Sequence, residues 1–313
     1  MTMQGVPTLG DGDDGGLGRK KLSEIPLALL LLAPSLIIFG VFVFYPMGRT
    51  IWLGFYREDP FGGRVYAGFS QYADVLSSAE FRHSLWVTIL FATITVGLGL
   101  VFGLTLATLA HQRMKGITVY RTIFSSTVAT SVAVASLIWL VLFQPSIGIV
   151  NQFLKSIGQE PVQWLLDSST ALFAVAATTV WQNLGITFII LIAGLQGIPD
   201  DLYESARVDG ASSWLQFREI TVPMLSPTLL FASVILTINA FQSFGQIDLL
   251  TQGGPSDSTN VIVYSIYQEA FQNRNAGVAS AQAVILFLIV LVLSLVQFSF
   301  FERRVHYAGG EES

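Results

Sequence analysis

The chain has 313 residues, 52% of them hydrophobic and only 12% charged, and its mean hydropathy is +0.61. That balance excludes an ordinary soluble domain. The formal net charge of −5 gives no basis for a nucleic-acid partner, and the absence of cysteine removes disulfides, thiolate nucleophiles and cysteine metal sites.

Residues 1–24 are rich in Gly and Asp and lack apolar periodicity, so they are expected to form a disordered cytosolic tail. Arg19-Lys20-Lys21 precedes an apolar run in the manner of a signal peptide. The run from Ile25 to Met47 is too long for one and has no convincing cleavage site, so it is expected to be retained as a first span. Uncharged segments then alternate with polar loops, at about 27–47, 84–110, 119–143, 169–195, 223–246 and 279–301. Each reaches the roughly 20 residues needed to cross a bilayer. None contains Asp, Glu or Lys, and Arg121 stands at the edge of the third. A charge at a helix centre costs about 2.5–3.5 kcal/mol on insertion scales, so six continuous helical spans are expected. The fold class is therefore an all-α membrane protein, with a six-span body over 25–303 and a short cytosolic tail over 304–313.

Six spans place both termini on one side. The basic residues Arg19, Lys20, Lys21, Arg113, Lys115, Arg121, Arg207, Arg218, Arg303 and Arg304 then share that side, which the positive-inside rule makes the cytoplasm. The opposite side receives longer, more acidic loops. In the first of these, Tyr66, Phe69 and Tyr72 are expected to pack as a small lid. Residues 144–167 are expected to form a turn and a short helix, and Thr251–Pro255 a tight turn.

Polar side chains inside spans need partners in lipid and often mark a solute path. The fourth span offers Thr178, Thr179, Gln182 and Asn183 beside Trp181; the fifth offers Asn239, Gln242 and Ser243 beside Phe241 and Phe244. Thr179, Gln182 and Asn183 share one helical face, and Asn239, Gln242 and Ser243 repeat the spacing. Amides and hydroxyls next to rings suit a neutral hydroxylated solute; helix-to-helix adhesion is the competing reading. Gly97, Gly99 and Gly103 have small-residue spacing that favours close helix packing. His83, His111 and His306 lie at span ends without clustered acids, which favours solvated imidazoles over a metal site. No sequence ending Gly-Lys-Ser/Thr forms a phosphate loop, so the chain is not expected to hydrolyse ATP.

Between the fourth and fifth spans lies DDLYESARVDGASSWLQFREITVPMLSP, residues 200–227. Residues 202–208 have the residue types of a short helix, Gly210 permits a sharp turn at positive φ, and a second helical run extends from Ser212 until Pro223 starts the next segment. Two short helices joined at a glycine form a knob suited to a cleft on another protein. Glu204-Ser205-Ala206, Asp209-Gly210-Ala211 and Pro223 resemble the EAA loop of bacterial ABC importer permeases, with Ser205 in place of the family's first alanine. The Gly-Gly-Pro turn at 253–255 is similar to one common in carbohydrate permeases, and the chain after residue 25 resembles the first permease subunits for sugars and for glycerol-3-phosphate. The two intramembrane clusters resemble the sugar-contacting segments of maltose permeases.

The resemblance implies a loop at 200–223 that couples to an ATPase. It also implies a second homologous permease, two cytosolic ATPase subunits that bind the ATP and Mg, an extracytoplasmic solute-binding protein, and no cofactor held by this chain. A sugar, a polyol or a glycerophosphate is the implied cargo. The alternatives are an ion- or proton-coupled secondary transporter, or a channel. The former usually shows an internal repeat, a coupling carboxylate or a broken helix, and none is visible in the sequence.

Overall fold

The computed structural model describes residues 16–59, 62–111 and 116–302. The chain divides into two compact units, Met1–Trp52 and Leu53–Ser313. In the first, α1 (Gly16–Phe39) passes through a wide π turn at Gly40–Phe44 into α2 (Tyr45–Leu53). Helix therefore begins at Gly16, inside the segment expected to be unstructured. The stretch Ala28–Leu53 is long and apolar enough to cross a membrane, and its side chains from Leu29 to Phe44 are largely exposed. Such a surface is unfavourable in water.

The second unit opens with an antiparallel hairpin that hydropathy did not foresee, β1 (Tyr56–Glu58) on β2 (Arg64–Tyr66), and α3 (Ser70–Ser77). The expected lid forms around Phe55, whose ring meets Phe69 and Tyr72 edge-on at 5.3 Å each. Tyr66 packs instead on Tyr56. Two long helices follow: α4 (Ala79–His111), and, after the shorter helices below, α8 (Ala171–Gln196). They pack closely because Gly103 lies under Thr187, where an added Cβ would stand 2.5 Å from Cγ2. Gly99 makes similar room for Leu236, whereas Gly97 faces open space and packs on nothing. His83 is not simply solvated, since its Nε2 lies 3.1 Å from the Asp257 carbonyl oxygen.

The third apolar segment is broken rather than continuous. It comprises α5 (Ile117–Ser125), a 3-10 turn at Ser126–Ala129, and α6 (Val132–Leu142), bent by 105°. The cause is local. Ser125, Ser126, Thr127, Thr130 and Ser131 fall within seven residues, and hydroxyls compete for backbone groups. Ser125 donates to the Arg121 carbonyl, Ser126 to the Ile123 carbonyl, and the Ser131 hydroxyl caps α6 by accepting from the Val134 N–H. Backbone freed in this way is tolerated at membrane depth only where protein or a cavity receives it.

After α6, α7 (Ile149–Ser156) fulfils the expected short helix of the 144–167 loop. Just before α8, the Ser169 N–H and hydroxyl both donate to Asp167 at 2.8 Å, holding that carboxyl below its ordinary pKa. On the other side of α8 come α9 (Asp200–Val208), α10 (Ser213–Gln216), a π turn at Phe217–Thr221 and α11 (Val222–Met224). Pro223 thus lies inside the helical run instead of opening the next one. A bend of 67° between Ser213–Met224 and Ser226–Phe241 separates it from α12 (Ser226–Phe241). Next come α13 (Gly245–Leu250), α14 (Ile262–Tyr267) and a last long helix, α15 (Ala276–Glu302). Among the described residues, four helices are long and apolar enough to cross a membrane unaided, and six spans result when each bent pair is one span. The tail expected over 304–313 and His306 lie outside the described residues.

Candidate functional site

All six residues singled out inside the spans, Thr179, Gln182, Asn183, Asn239, Gln242 and Ser243, line one cavity of about 380 Å³. They reach it differently from the expectation. Thr179, Gln182 and Asn183 do share a face of α8, but α12 ends at Phe241. Gln242 and Ser243 therefore sit in the break before α13, not on a continuous helix.

Phe244, expected beside the amides, and Gln246, Val132 and Gly245, which the sequence reading left out, complete the wall. No charged side chain lines it among the described residues. Val132 enters because the broken third segment directs α6 toward α13. Gly245 admits that approach, since a Cβ there would stand 2.7 Å from Val132 Cγ1. Gly185 does the same on α8: its Cβ would collide with Thr127 Oγ1 and lie 2.8 Å from the Val128 nitrogen.

The polar groups of this cavity fall into two sets. One is a relay. The Ser243 hydroxyl donates to Gln246 Oε1 at 3.0 Å, Gln246 Nε2 donates to Gln182 Oε1 at 2.7 Å, and Gln182 Nε2 donates to the Thr130 carbonyl at 3.3 Å. The relay begins at the fifth-segment break and ends on the carbonyl released by the third-segment break. Thr179 is likewise self-satisfied, donating to the Val175 carbonyl at 3.0 Å.

The other set is Asn183, Asn239 and Gln242. These amides have no hydrogen-bond partner among the described residues, and Asn239 and Gln242 are exposed. Each offers two donors and a carbonyl acceptor to whatever enters.

The knob at 200–223 is built as the sequence implies at its turn. Gly210 has φ +79°; its N–H donates to the Arg207 carbonyl at 3.1 Å, and the Ala211 N–H donates to the Ala206 carbonyl at 2.9 Å. That pair of bonds is the Schellman ending of a helix, which needs a left-handed residue at the position Gly210 occupies. Asp200 and Asp201 stand in the first turn of α9, where carboxylates complement the helix dipole.

Glu204, Ser205, Asp209 and Gly210 are exposed, whereas Ala206, Ala211 and Pro223 are half-buried. Glu204 makes only a loose 3.8 Å pair with Arg207, and both side chains are exposed. The Tyr203 hydroxyl and Thr221 hydroxyl, 3.0 Å apart, tie the two arms of the knob together. Sequence reasoning missed the apolar tip: Val208 is 88% exposed, and Trp214 is 71% exposed and stacks on Phe217. A tryptophan in a polar loop was the available signal.

Residues 99–307 match the family described as "Binding-protein-dependent transport system inner membrane component". The chain belongs to this family of inner-membrane permeases.

It is 38% identical over 285 residues to the sn-glycerol-3-phosphate transport system permease protein UgpA of Agrobacterium fabrum, covering 90% of this chain and 96% of that one. The Yersinia enterocolitica protein of the same name is 34% identical over the same shares. Among solved structures, a bacterial ABC transporter involved in the import of the acidic polysaccharide alginate superimposes with a TM-score of 0.79. That superposition spans 92% of this chain and 98% of the other at 24% identity, a likeness of fold.

This chain is accordingly the membrane-spanning subunit of an ATP-driven importer of the inner membrane. Such an importer comprises a second permease, cytosolic ATPase subunits and an external solute-binding protein. The broken third segment does not revive a secondary transporter, because the family match spans it.

Proposed function

We propose that this permease carries a small polyhydroxylated solute, a sugar or polyol, through the cavity between α8 and α12–α13 into the cytoplasm. The convergence of six polar residues from two spans on one uncharged cavity carries the reading, with three amides left free to meet hydroxyls. Phe244, half-buried in the wall, supplies an apolar surface for the C–H face of such a solute.

The named relatives make sn-glycerol-3-phosphate the phosphorylated candidate. Phosphate recognition favours Arg or Lys, which this wall lacks. A glycerophosphate would therefore need its cation from the second permease or the solute-binding protein. A binding panel on the cognate solute-binding protein, followed by uptake competition, tests the class. Competition by a neutral sugar or polyol is expected; competition by glycerophosphates alone would contradict it.

The loop at 200–223 is the coupling element in this proposal. Glu204, Ser205, Ala206, Asp209, Gly210 and Ala211 dock in a cleft of the ATPase, and Pro223 closes the motif. Val208 and Trp214 supply apolar contact. ATP and Mg are bound and ATP is hydrolysed in the partner subunits, whose closure draws the paired knobs together and tips the spans from inward-open to outward-open. Both termini lie in the cytosol with the knob, and the permease body spans residues 25–303.

A further inference from the structure

The short helix α7 has three distinct faces. Asn151 and Leu154 point toward the rest of the chain. Asn151 is only 1% exposed, and its amide is fully employed: Nδ2 donates to the Pro145 and Val162 carbonyls, and Oδ1 accepts from the Val162 N–H and Trp164 Nε1. About a third of a turn away, Ile149, Phe153 and, at the C-cap just past the helix, Ile157, spaced by four, are 65%, 63% and 58% exposed. Gln152 and Lys155, also exposed, occupy the remaining arc.

We infer that α7 lies in the surface of the bilayer, on the side opposite the 200–223 loop, with Ile149, Phe153 and Ile157 inserted among the lipids. The three arcs meet protein, lipid and water respectively, as an interfacial helix packed sideways on its own protein requires. The spans on either side of the loop expose large apolar side chains too: α6, before the loop, exposes Leu137 and Val141, and α8, after it, exposes Phe173. At eight residues α7 is far too short to cross. It contains no acidic residue, and Lys155 in its last turn matches the phosphates of lipid headgroups. Through Asn151 the anchor fixes the height of the whole 144–167 loop above the membrane.

The chain's lack of cysteine makes the test direct. Gln152→Cys and Phe153→Cys are introduced singly, the assembled complex is labelled with an environment-sensitive fluorophore, and the signal of the unsubstituted complex is subtracted. The complex is placed in vesicles of phosphatidylethanolamine and phosphatidylglycerol containing lipids brominated near the headgroup. At position 153, bromolipid quenching several-fold stronger than at 152 is expected, with aqueous iodide showing the reverse order. Equal responses at the two positions, or iodide quenching at 153, would overturn the inference. A position 153 shielded from both quenchers would also overturn it, since another subunit would then cover the stripe.

Discussion

Gln246 shows at single-residue scale how two broken helices are held together. It is the last residue of the apolar segment that drew attention to Gln242 and Ser243; it is buried, and it sets the orientation of the Gln182 amide. Replacing one member of a buried pair strands the other at about 1–3 kcal/mol. Gln182→Ala and Gln246→Ala are therefore expected to be non-additive, with a coupling of about 0.5–3 kcal/mol in a double-mutant cycle on thermal unfolding of the purified complex. Additive losses would show that the relay is incidental. Two glycines provide a second contrast. Gly185→Val would force a side chain into Thr127 and Val128 and should destabilise by about 1–3 kcal/mol. Gly97→Ala faces open space and removes a helix-interior glycine, so a neutral or slightly stabilising effect is expected. Thermal inactivation of the two variants should diverge in that order, and equal losses would contradict the packing assigned to α8.

Among elements, the knob makes the sharpest prediction. A Cβ on Gly210 would meet nothing within 4 Å, so any cost of substitution arises from the backbone at φ +79°. Left-handed geometry costs ordinary residues about 1–2 kcal/mol, whereas Asn visits it readily. Gly210→Val is expected to abolish the stimulation of ATP hydrolysis by loaded binding protein while leaving membrane insertion intact, and Gly210→Asn is expected to retain much of it. Glu204→Lys, which reverses charge at an exposed docking position, should behave like Gly210→Val. The assay is ATPase activity of the reconstituted complex with and without solute. Full stimulation in both Gly210→Val and Glu204→Lys would remove the loop from coupling.

The same elements show what a sequence discloses. The glycine turn of the knob was readable because only one backbone conformation closes a helix that way. The polar residues of the cavity were readable because uncharged amides are conspicuous inside an apolar run. The 105° break at Thr130 was hidden, since hydropathy counts Ser and Thr as tolerable in a span and is blind to their bonding with backbone carbonyls. The early end of α12 was hidden for a related reason: Gln242 and Ser243 keep helical spacing in sequence but not in space. With those two breaks unseen, Val132, Gly245 and Gln246 could not be placed in the wall.

On the scale of the whole molecule, the proposed solute path and the proposed coupling surface lie at separate points along one helical framework. Both sit next to a bent segment: the cavity beside the break at Thr130, and the knob on the arm leading to the bend before Ser226. Damage to one should therefore be separable from damage to the other. The most direct test of the transport path is uptake by the reconstituted importer carrying Asn183→Leu together with Gln242→Leu, measured alongside the amount of assembled complex and its ATPase activity with loaded binding protein. The expected result is severe loss of solute uptake in a fully assembled complex that still responds to binding protein. Undiminished uptake at normal abundance would contradict a solute path through this cavity, and loss of assembly would assign the two amides to holding the helices together.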